Sequence, residues 1–241
     1  MIQKIIVALD TDDINKAKKL VKTLWPMVKF FKIGLEMINT GQASELIKFI
    51  HKLGGKVFYD AKLNDIPNTV GRAVGGISKL GVAMISVHAS MGREALKAAV
   101  KNKGRSKIIG VTILTSLGDK ECKSIFGVKP DIKITQFVDI LMKAGADGVV
   151  CSVAEAKLIS KFSAKGEISP RRGGKKFVIV TPGIRPVWAN KNEQSRIATP
   201  AEAVRAGADY LVIGRPITDP PKNIGSPSEA LDLIIGNEDK V

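Results

Sequence analysis

The stretch Val57-Phe58-Tyr59-Asp60-Ala61-Lys62-Leu63-Asn64-Asp65 joins an apolar run to a group of charged residues. The apolar run is typical of a buried β-strand, so the charges are expected where that strand ends. Side chains two positions apart on a strand share a face, which predicts that Asp60 and Lys62 point the same way. Asp65 follows in a loop that can carry it elsewhere. A lysine held between two carboxylates keeps its proton, so Lys62 is predicted to be a positive charge and proton donor.

Similar apolar runs recur along the chain, with helical patterns in most of the gaps. The predicted strands are residues 4–10, 29–34, 56–62, 84–89, 108–114, 148–152, 177–182 and 210–214. The predicted helices are residues 13–24, 42–53, 69–80, 92–102, 134–144, 154–162, 201–206 and 227–235. Apolar strands that alternate with helices indicate a parallel sheet covered on both faces. Eight such units in 241 residues predict an α/β fold, a single (β/α)8 TIM barrel domain over residues 1–241, with a doubly wound open sheet as the alternative.

Connections between these units differ in length and charge. Two helix-to-strand junctions repeat Ala-Gly-Ala-Asp, at residues 144–147 and 206–209, and are expected to be structural features of the bottom of the barrel. The connection 163–176 contains a dense basic cluster at 170–176 and is expected to be a solvated loop on that same face. The connection 185–199 follows the seventh strand, so it is a candidate lid on the top face.

Composition narrows the class of protein. The formal net charge is +15, but the lysines are dispersed and aromatic residues make up only 5% of the chain, which disfavours nucleic-acid binding. Cys122 and Cys151 provide no disulfide framework, so a reducing compartment is expected. The N-terminus lacks a signal-peptide pattern, and no apolar run approaches the ~20 residues that span a bilayer. We therefore expect a cytoplasmic protein with neither a membrane partner nor a specific nucleic-acid partner.

Four charged residues are predicted to meet at the top of the barrel, where barrel enzymes build their active sites. Asp10 ends the first strand, Lys32 lies near the end of the second, and Asp60 and Lys62 end the third. Because these strands are neighbours, the four charges are expected to form one alternating network. At ~4 Å and an effective dielectric constant of about 20, each opposite pair is worth about 4 kcal/mol before desolvation. Isolated surface salt bridges are the alternative, but the convergence of four charges favours a functional site.

Two strand ends combine glycine with arginine. Gly183 and Arg185 follow the seventh strand, and Gly214 and Arg215 follow the eighth. In many barrels these two loops bind phosphate, since glycine lets a backbone N–H approach an anion and arginine adds a bidentate clamp. The alternative is a pair of turn glycines with exposed arginines.

The other strand ends are less informative. His88, after the fourth strand, is either a base or a structural histidine. Thr115 and Ser116 follow the fifth strand, and their hydroxyls are expected either to bind substrate or to cap the next segment. Histidines and cysteines show no metal-ligand spacing, so we expect no metal site.

Three longer motifs carry a resemblance that covers essentially the whole chain. They are Asp60-Ala61-Lys62-Leu63-Asn64-Asp65-Ile66-Pro67-Asn68-Thr69, Thr181-Pro182-Gly183-Ile184-Arg185-Pro186 and Ile213-Gly214-Arg215-Pro216-Ile217-Thr218. Together they resemble the bacterial type of the orotidine 5′-phosphate decarboxylase family. The resemblance implies conversion of orotidine 5′-phosphate to uridine 5′-phosphate and CO2 in pyrimidine biosynthesis, without a cofactor or metal.

The same resemblance implies roles for individual residues. Lys62 would protonate C6 of the pyrimidine, with Asp60 near the departing carboxylate. Lys32 and Asp10 would complete the network and contact the ribose. Asp65 would reach the active site of the partner subunit in a homodimer. The further residues that the resemblance implies for substrate binding are Ile66, Thr69, Thr115, Ser116, Pro182, Arg185, Gln194, Gly214 and Arg215.

Other functions stay open at this stage. A decarboxylase of a keto-sugar phosphate shares the D-x-K-x-x-D core on a related barrel and needs a divalent metal to hold an enediolate. A phosphosugar isomerase wants a general base poised near neutral pH, which a lysine between carboxylates is not. A basic nucleic-acid-binding protein is the alternative from another class, for which the charge alone predicts weak, salt-sensitive and sequence-blind binding.

Overall fold

Eight parallel strands close into a barrel in the computed structural model, which describes residues 1–164, 176–189 and 198–236. The strands are β1 (Ile5–Ala8), β2 (Phe30–Ile33), β3 (Lys56–Leu63), β4 (Met84–His88), β5 (Lys107–Val111), β6 (Gly148–Val150), β7 (Val178–Thr181) and β8 (Tyr210–Ile213). Each strand pairs in parallel with the next, and β8 pairs with β1. All eight predicted strands are present, and the closing pair excludes an open sheet. The predicted (β/α)8 barrel is therefore confirmed.

Helices connect the strands. They are α1 (Ile14–Leu24), α2 (Leu35–Asn39), α3 (Ala43–Lys52), α4 (Pro67–Ser78), α5 (Arg93–Asn102), α6 (Asp119–Phe126), α7 (Pro130–Ala144), α8 (Val153–Ala164), α9 (Pro200–Arg205), α10 (Arg215–Thr218) and α11 (Pro227–Gly236), with 3₁₀ turns at Ile2–Lys4 and Ala89–Met91. Sequence reasoning missed α2, α6 and α10, which have five, eight and four residues. Among the helices described, none is both long and apolar enough to cross a membrane.

Alternation along the strands produces two apolar layers. On β1, Ile5 and Val7 belong to the large cluster between the sheet and the helices, while Ile6 and Ala8 belong to a smaller one. The smaller cluster comprises Ile6, Ala8, Phe30, Phe58, Met84, Ile109, Val178, Val180 and Val212. Because every strand contributes to one layer or both, the barrel is a filled and rigid support for the side chains at its ends.

The two Ala-Gly-Ala-Asp junctions play the same part in the barrel. Asp147, just before β6, accepts a hydrogen bond of 2.8 Å from the backbone N–H of Ile108 on β5. Asp209, just before β8, accepts one of 3.0 Å from the N–H of Ile179 on β7. Each aspartate thus ties the start of its own strand to the neighbouring strand, which confirms the structural role predicted for these junctions at the bottom of the barrel.

Two predicted loops fall mainly outside the described residues. Most of the basic connection, residues 165–175, is among them, and so is the middle of the candidate lid, residues 190–197. Lys176 is the described end of the basic cluster, and its ammonium pairs with Asp209 at the bottom of the barrel.

Candidate active site

A cavity of about 470 Å³ opens at the carboxyl ends of the strands. Its charged lining consists of Asp10, Lys32, Glu36, Asp60, Lys62, Arg185 and Arg215. A larger cavity of about 790 Å³ lies at the opposite end of the barrel. There, Lys103 pairs with Asp147, and Lys176 with Asp209, the two aspartates that tie strands together. The top cavity is the better candidate, because barrel enzymes place their chemistry at that end.

The predicted alternating charge network is present in the top cavity. Lys32 Nζ lies 2.7 Å from Oδ1 of Asp10 and 3.4 Å from Oδ2 of Asp60. Lys62 Nζ lies 2.8 Å from the same Oδ2 of Asp60. Lys32 and Asp60 are buried, whereas Asp10 is half exposed at the rim. The four charges therefore form a continuous chain in which buried Lys32 and Asp60 connect the more exposed Asp10 and Lys62.

Mutual attraction keeps the two buried members of this network ionised. Burial alone would lower the pKa of Lys32, but the charges of Asp60 and Asp10 outweigh it and raise that pKa above its ordinary value. Burial alone would raise the pKa of Asp60, but the charges of Lys32 and Lys62 and the hydrogen bonds from Lys62 and Ser86 lower it. The network thus presents fixed charges to whatever occupies the cavity.

The contact between Asp60 and Lys62 arises differently from the prediction. Tyr59 of β3 is paired with Ile85 of β4, but Leu63 is paired with Val87, so the register shifts between them. Within the described ranges, Lys62 is the one non-glycine residue with a positive φ, at 50°. A bulge of this kind re-aims a side chain at the end of a strand. The predicted contact is confirmed, but a bulge produces it rather than regular strand alternation.

Two residues of the site were not predicted. Ser86 on β4 is fully buried; its hydroxyl donates to Oδ1 of Asp60 at 2.8 Å and accepts from the backbone N–H of Lys62 at 2.8 Å. A serine inside the apolar run of β4 was the available signal. A Cβ on Gly34 would lie 3.1 Å from both Asp10 Oδ1 and Lys32 Nζ, so a glycine there leaves room for that ion pair. No sequence pattern indicates that a glycine is needed at position 34.

Arg185 and Arg215 face the same cavity, as predicted. Arg185 is only 7% exposed, and its Nε has no hydrogen-bond partner among the described residues. Burial, and then the charge of Arg215, lower the pKa of Arg185, yet an arginine stays cationic at neutral pH. A buried guanidinium beside a second one favours an anion between them. Gly183, with φ 74°, and Gly214 line this part of the cavity as well.

The remaining predicted substrate contacts divide into two groups. Thr115 and Pro182 line the cavity. Ser116 lies in the turn that follows β5; it is exposed and does not line the cavity, which disagrees with a substrate contact in this geometry. Gln194 lies outside the described residues.

Asp65, Ile66 and Thr69 are exposed and do not line their own chain's cavity. Asp65 accepts a hydrogen bond of 2.6 Å from the N–H of Ile66. Within the described part of one chain, Lys62 forms an ion pair with Asp60 alone, so the expectation that it lies between two carboxylates is wrong for a single subunit. The reason is that the chain leaves the barrel after Leu63 and begins α4 at Pro67.

His88 fits a structural role better than that of a base. Its Nδ1 lies 2.7 Å from the hydroxyl of Ser90 and accepts from the Ser90 N–H at 3.3 Å. Burial, and then the charge of Lys62, lower the pKa of His88 below its ordinary value. Across the described ranges, no three His, Cys, Asp or Glu side chains are grouped so as to hold a metal ion.

Fold and site together define an enzyme of the (β/α)8-barrel class with its charges gathered at the top of the barrel. Residues 3–226 match the model of the "Orotidine 5'-phosphate decarboxylase / HUMPS family". The chain therefore belongs to that family, and the resemblance inferred from the motifs is confirmed.

Named relatives agree with this assignment. An orotidine 5′-phosphate decarboxylase of Moorella thermoacetica is 39% identical over 234 residues, which cover 92% of this chain and 88% of the relative. One from Shewanella sediminis is 43% identical over 220 residues, 89% of each chain. The crystal structure of orotidine 5′-phosphate decarboxylase from Lactobacillus acidophilus is 30% identical and superposes with a TM-score of 0.74, covering 97% of this chain and 98% of that one.

Proposed function

We propose that this chain decarboxylates orotidine 5′-phosphate to uridine 5′-phosphate, a step in pyrimidine biosynthesis, and that Lys62 protonates C6. The observation that carries the proposal is the contact of 2.8 Å between Lys62 Nζ and the buried carboxylate of Asp60 at the top of the barrel. Family membership and the identity to curated decarboxylases support the choice of substrate.

Charge development explains why the site needs a fixed ammonium. When the bond from C6 to the carboxylate breaks, its electron pair stays on C6 and CO2 leaves. An ammonium aimed at C6 stabilises this negative charge, and because the site is preorganised, no reorganisation is needed as the charge appears. Lys62 then gives a proton from Nζ to C6, and it regains a proton from solvent after the product leaves.

Asp60 and Lys32 hold the ammonium in place. Asp60 has one carboxylate oxygen directed at Lys62 and Lys32, so the proton donor is held from one side. Asp60 is the residue we place beside the departing carboxylate, where it also disfavours the charged substrate relative to neutral CO2. Lys32 pairs with Asp10, which is half exposed at the rim, and we assign these two residues to the ribose.

The arginine end of the cavity suits the 5′-phosphate. Arg185 and Arg215 supply two positive charges, and the backbone at Gly214 allows close approach of an anion. Thr115 and Pro182 line the same cavity, and we propose that they contact the rest of the nucleotide. Gln194 lies outside the described residues, and we assign it to the phosphate on the family resemblance alone. Binding energy from a phosphate remote from C6 can then support the chemical step.

A homodimer would supply the second carboxylate that one subunit lacks. Asp65, Ile66 and Thr69 are exposed just before and within the first turn of α4, and Ile66 is 65% exposed. We propose that these residues complete the partner's cavity, with Asp65 close to the partner's lysine network. Cys122 and Cys151 are both buried and form no disulfide, which supports a reducing compartment, and we propose the cytoplasm.

Subunit mixing tests the dimer. Lys62→Ala and Asp65→Ala dimers should each be inactive, but a mixed dimer contains one site in which both residues are intact. Refolding the two variants together should restore about a quarter of wild-type activity, since half of the dimers are mixed and each has one good site of two. Failure to restore activity, with mixed dimers present by mass spectrometry, would place Asp65 outside the partner's site.

The direct test of function is turnover without a metal. The purified chain is mixed with orotidine 5′-phosphate in EDTA, and the loss of substrate absorbance is followed. Undiminished turnover under these conditions supports the proposal. A protein that leaves the substrate untouched, or one whose decarboxylation depends on an added divalent ion, contradicts it; in the second case a keto-sugar phosphate becomes the substrate to test.

A further inference from the structure

Ser86 on β4 is hydrogen-bonded to two residues of β3 in the candidate active site, Asp60 and Lys62. Its hydroxyl donates to Oδ1 of Asp60 at 2.8 Å, and its oxygen accepts from the backbone N–H of Lys62 at 2.8 Å. The residue is completely buried, so water cannot replace either bond without rearrangement. One side chain of β4 is thus bonded to a side chain and to a backbone group of the neighbouring strand.

The Asp60 carboxylate is held at both oxygens by different partners. Oδ1 takes the hydrogen bond from Ser86, while Oδ2 faces the ammonium groups of Lys62 and Lys32. A carboxylate bonded at Oδ2 alone can rotate about its Cβ–Cγ bond, because this terminal torsion is broad. The bond at Oδ1 removes that freedom and fixes where the negative charge lies.

The Lys62 backbone needs support of its own. Its φ of 50° is in the left-handed region, which a residue with a side chain seldom occupies. Such a conformation persists only where the surrounding structure holds it. The bond from the Lys62 N–H to Ser86 is a contact of this kind, and it spans 24 positions of sequence.

We propose that Ser86 is a positioning residue: its hydroxyl holds the Asp60 carboxylate and the bulged Lys62 backbone together, and so sets the aim of the Lys62 ammonium. The effect on turnover rests on the proposed function. The effect on the Lys62 backbone does not, and it can be measured on the protein without substrate.

Kinetics separate positioning from simple stabilisation. Ser86→Ala removes both bonds, and Ser106→Ala is the matched control, because Ser106 is also buried and its hydroxyl donates to the Val82 carbonyl at 2.7 Å at the bottom of the barrel. Ser86→Ala should lower kcat by ~10–100-fold, as expected for a small displacement of a catalytic group. Its dissociation constant for uridine 5′-phosphate should change by less than ~3-fold, since the phosphate contacts are intact. Ser106→Ala should leave kcat within ~2-fold of wild type.

Amide hydrogen exchange, measured by NMR, provides the readout that is independent of turnover. The Lys62 amide should exchange at least ~10-fold faster in Ser86→Ala than in the wild type and in Ser106→Ala. Wild-type kcat together with wild-type exchange at Lys62 would overturn the proposal. If the wild-type protein shows no turnover of orotidine 5′-phosphate but Lys62 exchange still accelerates in Ser86→Ala, the positioning role stands and the proposed function fails.

A second variant covers the case in which Ser86→Ala does not fold. Ser86→Cys keeps nearly the same shape with a much weaker hydrogen-bonding group. Its kcat and its Lys62 amide exchange rate should lie between those of wild type and those expected for Ser86→Ala. Wild-type values of both in Ser86→Cys would likewise count against the proposal.

Discussion

Lys62 Nζ lies 2.8 Å from Oδ2 of Asp60, and the Asp60 side chain is 9% exposed whereas that of Lys62 is 34% exposed. The two partners are therefore not equivalent. Asp60 keeps Lys32 and Ser86 as partners if Lys62 is removed, but both lysines lose a shared counterion if Asp60 is removed. Removing one partner of a buried pair is costly because the other charge stays buried. Substitutions of Lys62 should therefore affect chemistry, and substitutions of Asp60 should affect chemistry and folding together.

Lys62→Ala should lower kcat for orotidine 5′-phosphate by at least ~10³-fold, because the developing charge on C6 loses its stabilising group and its proton. Its melting temperature should stay near that of wild type. Lys97→Ala, on an exposed helical ion pair with Glu94, is the control and should leave kcat unchanged. Measurable turnover in Lys62→Ala at a tenth of the wild-type rate would remove Lys62 from the chemical step.

Arg185→Ala should weaken phosphate recognition without destabilising the free protein. Arg185 is buried beside Arg215, so its removal relieves repulsion. We expect kcat/KM for orotidine 5′-phosphate to fall by ~10²-fold or more, while the much slower reaction of orotidine, which has no phosphate, changes little. Inorganic phosphate should raise the melting temperature of wild type more than that of Arg185→Ala. Arg105→Ala, at the bottom cavity, should behave as wild type in both measurements.

Asp60 should make stability depend on acid pH. Its pKa is lowered in the folded protein, whereas an unfolded aspartate titrates at about 3.9. Between the folded pKa of Asp60 and about pH 4, the unfolded state binds more protons than the folded state. The stabilisation from Asp60 is therefore fully present above about pH 4 and is lost as the pH falls through the folded pKa. Asp60→Asn removes this contribution. At pH 7, the unfolding free energy of wild type should be about 3–5 kcal/mol higher than that of Asp60→Asn.

Denaturant unfolding between pH 2 and pH 7 measures that difference, which should shrink below about pH 4. Asp139→Asn is the control: its carboxylate is 54% exposed and pairs with Lys143 on the surface of α7. The control should differ from wild type by less than about 1 kcal/mol throughout. A difference for Asp60→Asn that is constant down to pH 2 would contradict the ionised network.

Gly34→Ala should impair the site and spare the fold. The backbone there is extended, so alanine is tolerated, but its Cβ would press on the Asp10–Lys32 ion pair from 3.1 Å. We expect kcat/KM to fall by ~10-fold with little change in melting temperature. Gly110→Ala is the opposite case, because its Cβ would lie 2.1 Å from Leu141 Cδ2 in the core. It should lower the unfolding free energy by about 1–3 kcal/mol and leave the kcat of the folded protein unchanged.

Local pattern was enough to predict the strands and most of the longer helices. Each strand is a short apolar run. Because the strand ends of a parallel barrel meet at one rim, the sequence predicted that Asp10, Lys32, Asp60 and Lys62 lie close together. Short helices such as α2 and α10 lack a repeated apolar period, and they were missed for that reason. Gln194 and most of the basic connection lie beyond the described residues, and their predicted roles remain predictions.

Sequence by itself determined the barrel, the identity of its four network charges and the family, because these follow from periodicity, from strand ends and from contiguous motifs. Only the tertiary structure decided how Lys62 is aimed. Its bulge depends on the pairing of β3 with β4, and its support comes from Ser86, 24 positions away. A hydrogen bond between distant residues exists only once the closed barrel has set the register of both strands, and no local pattern encodes that register.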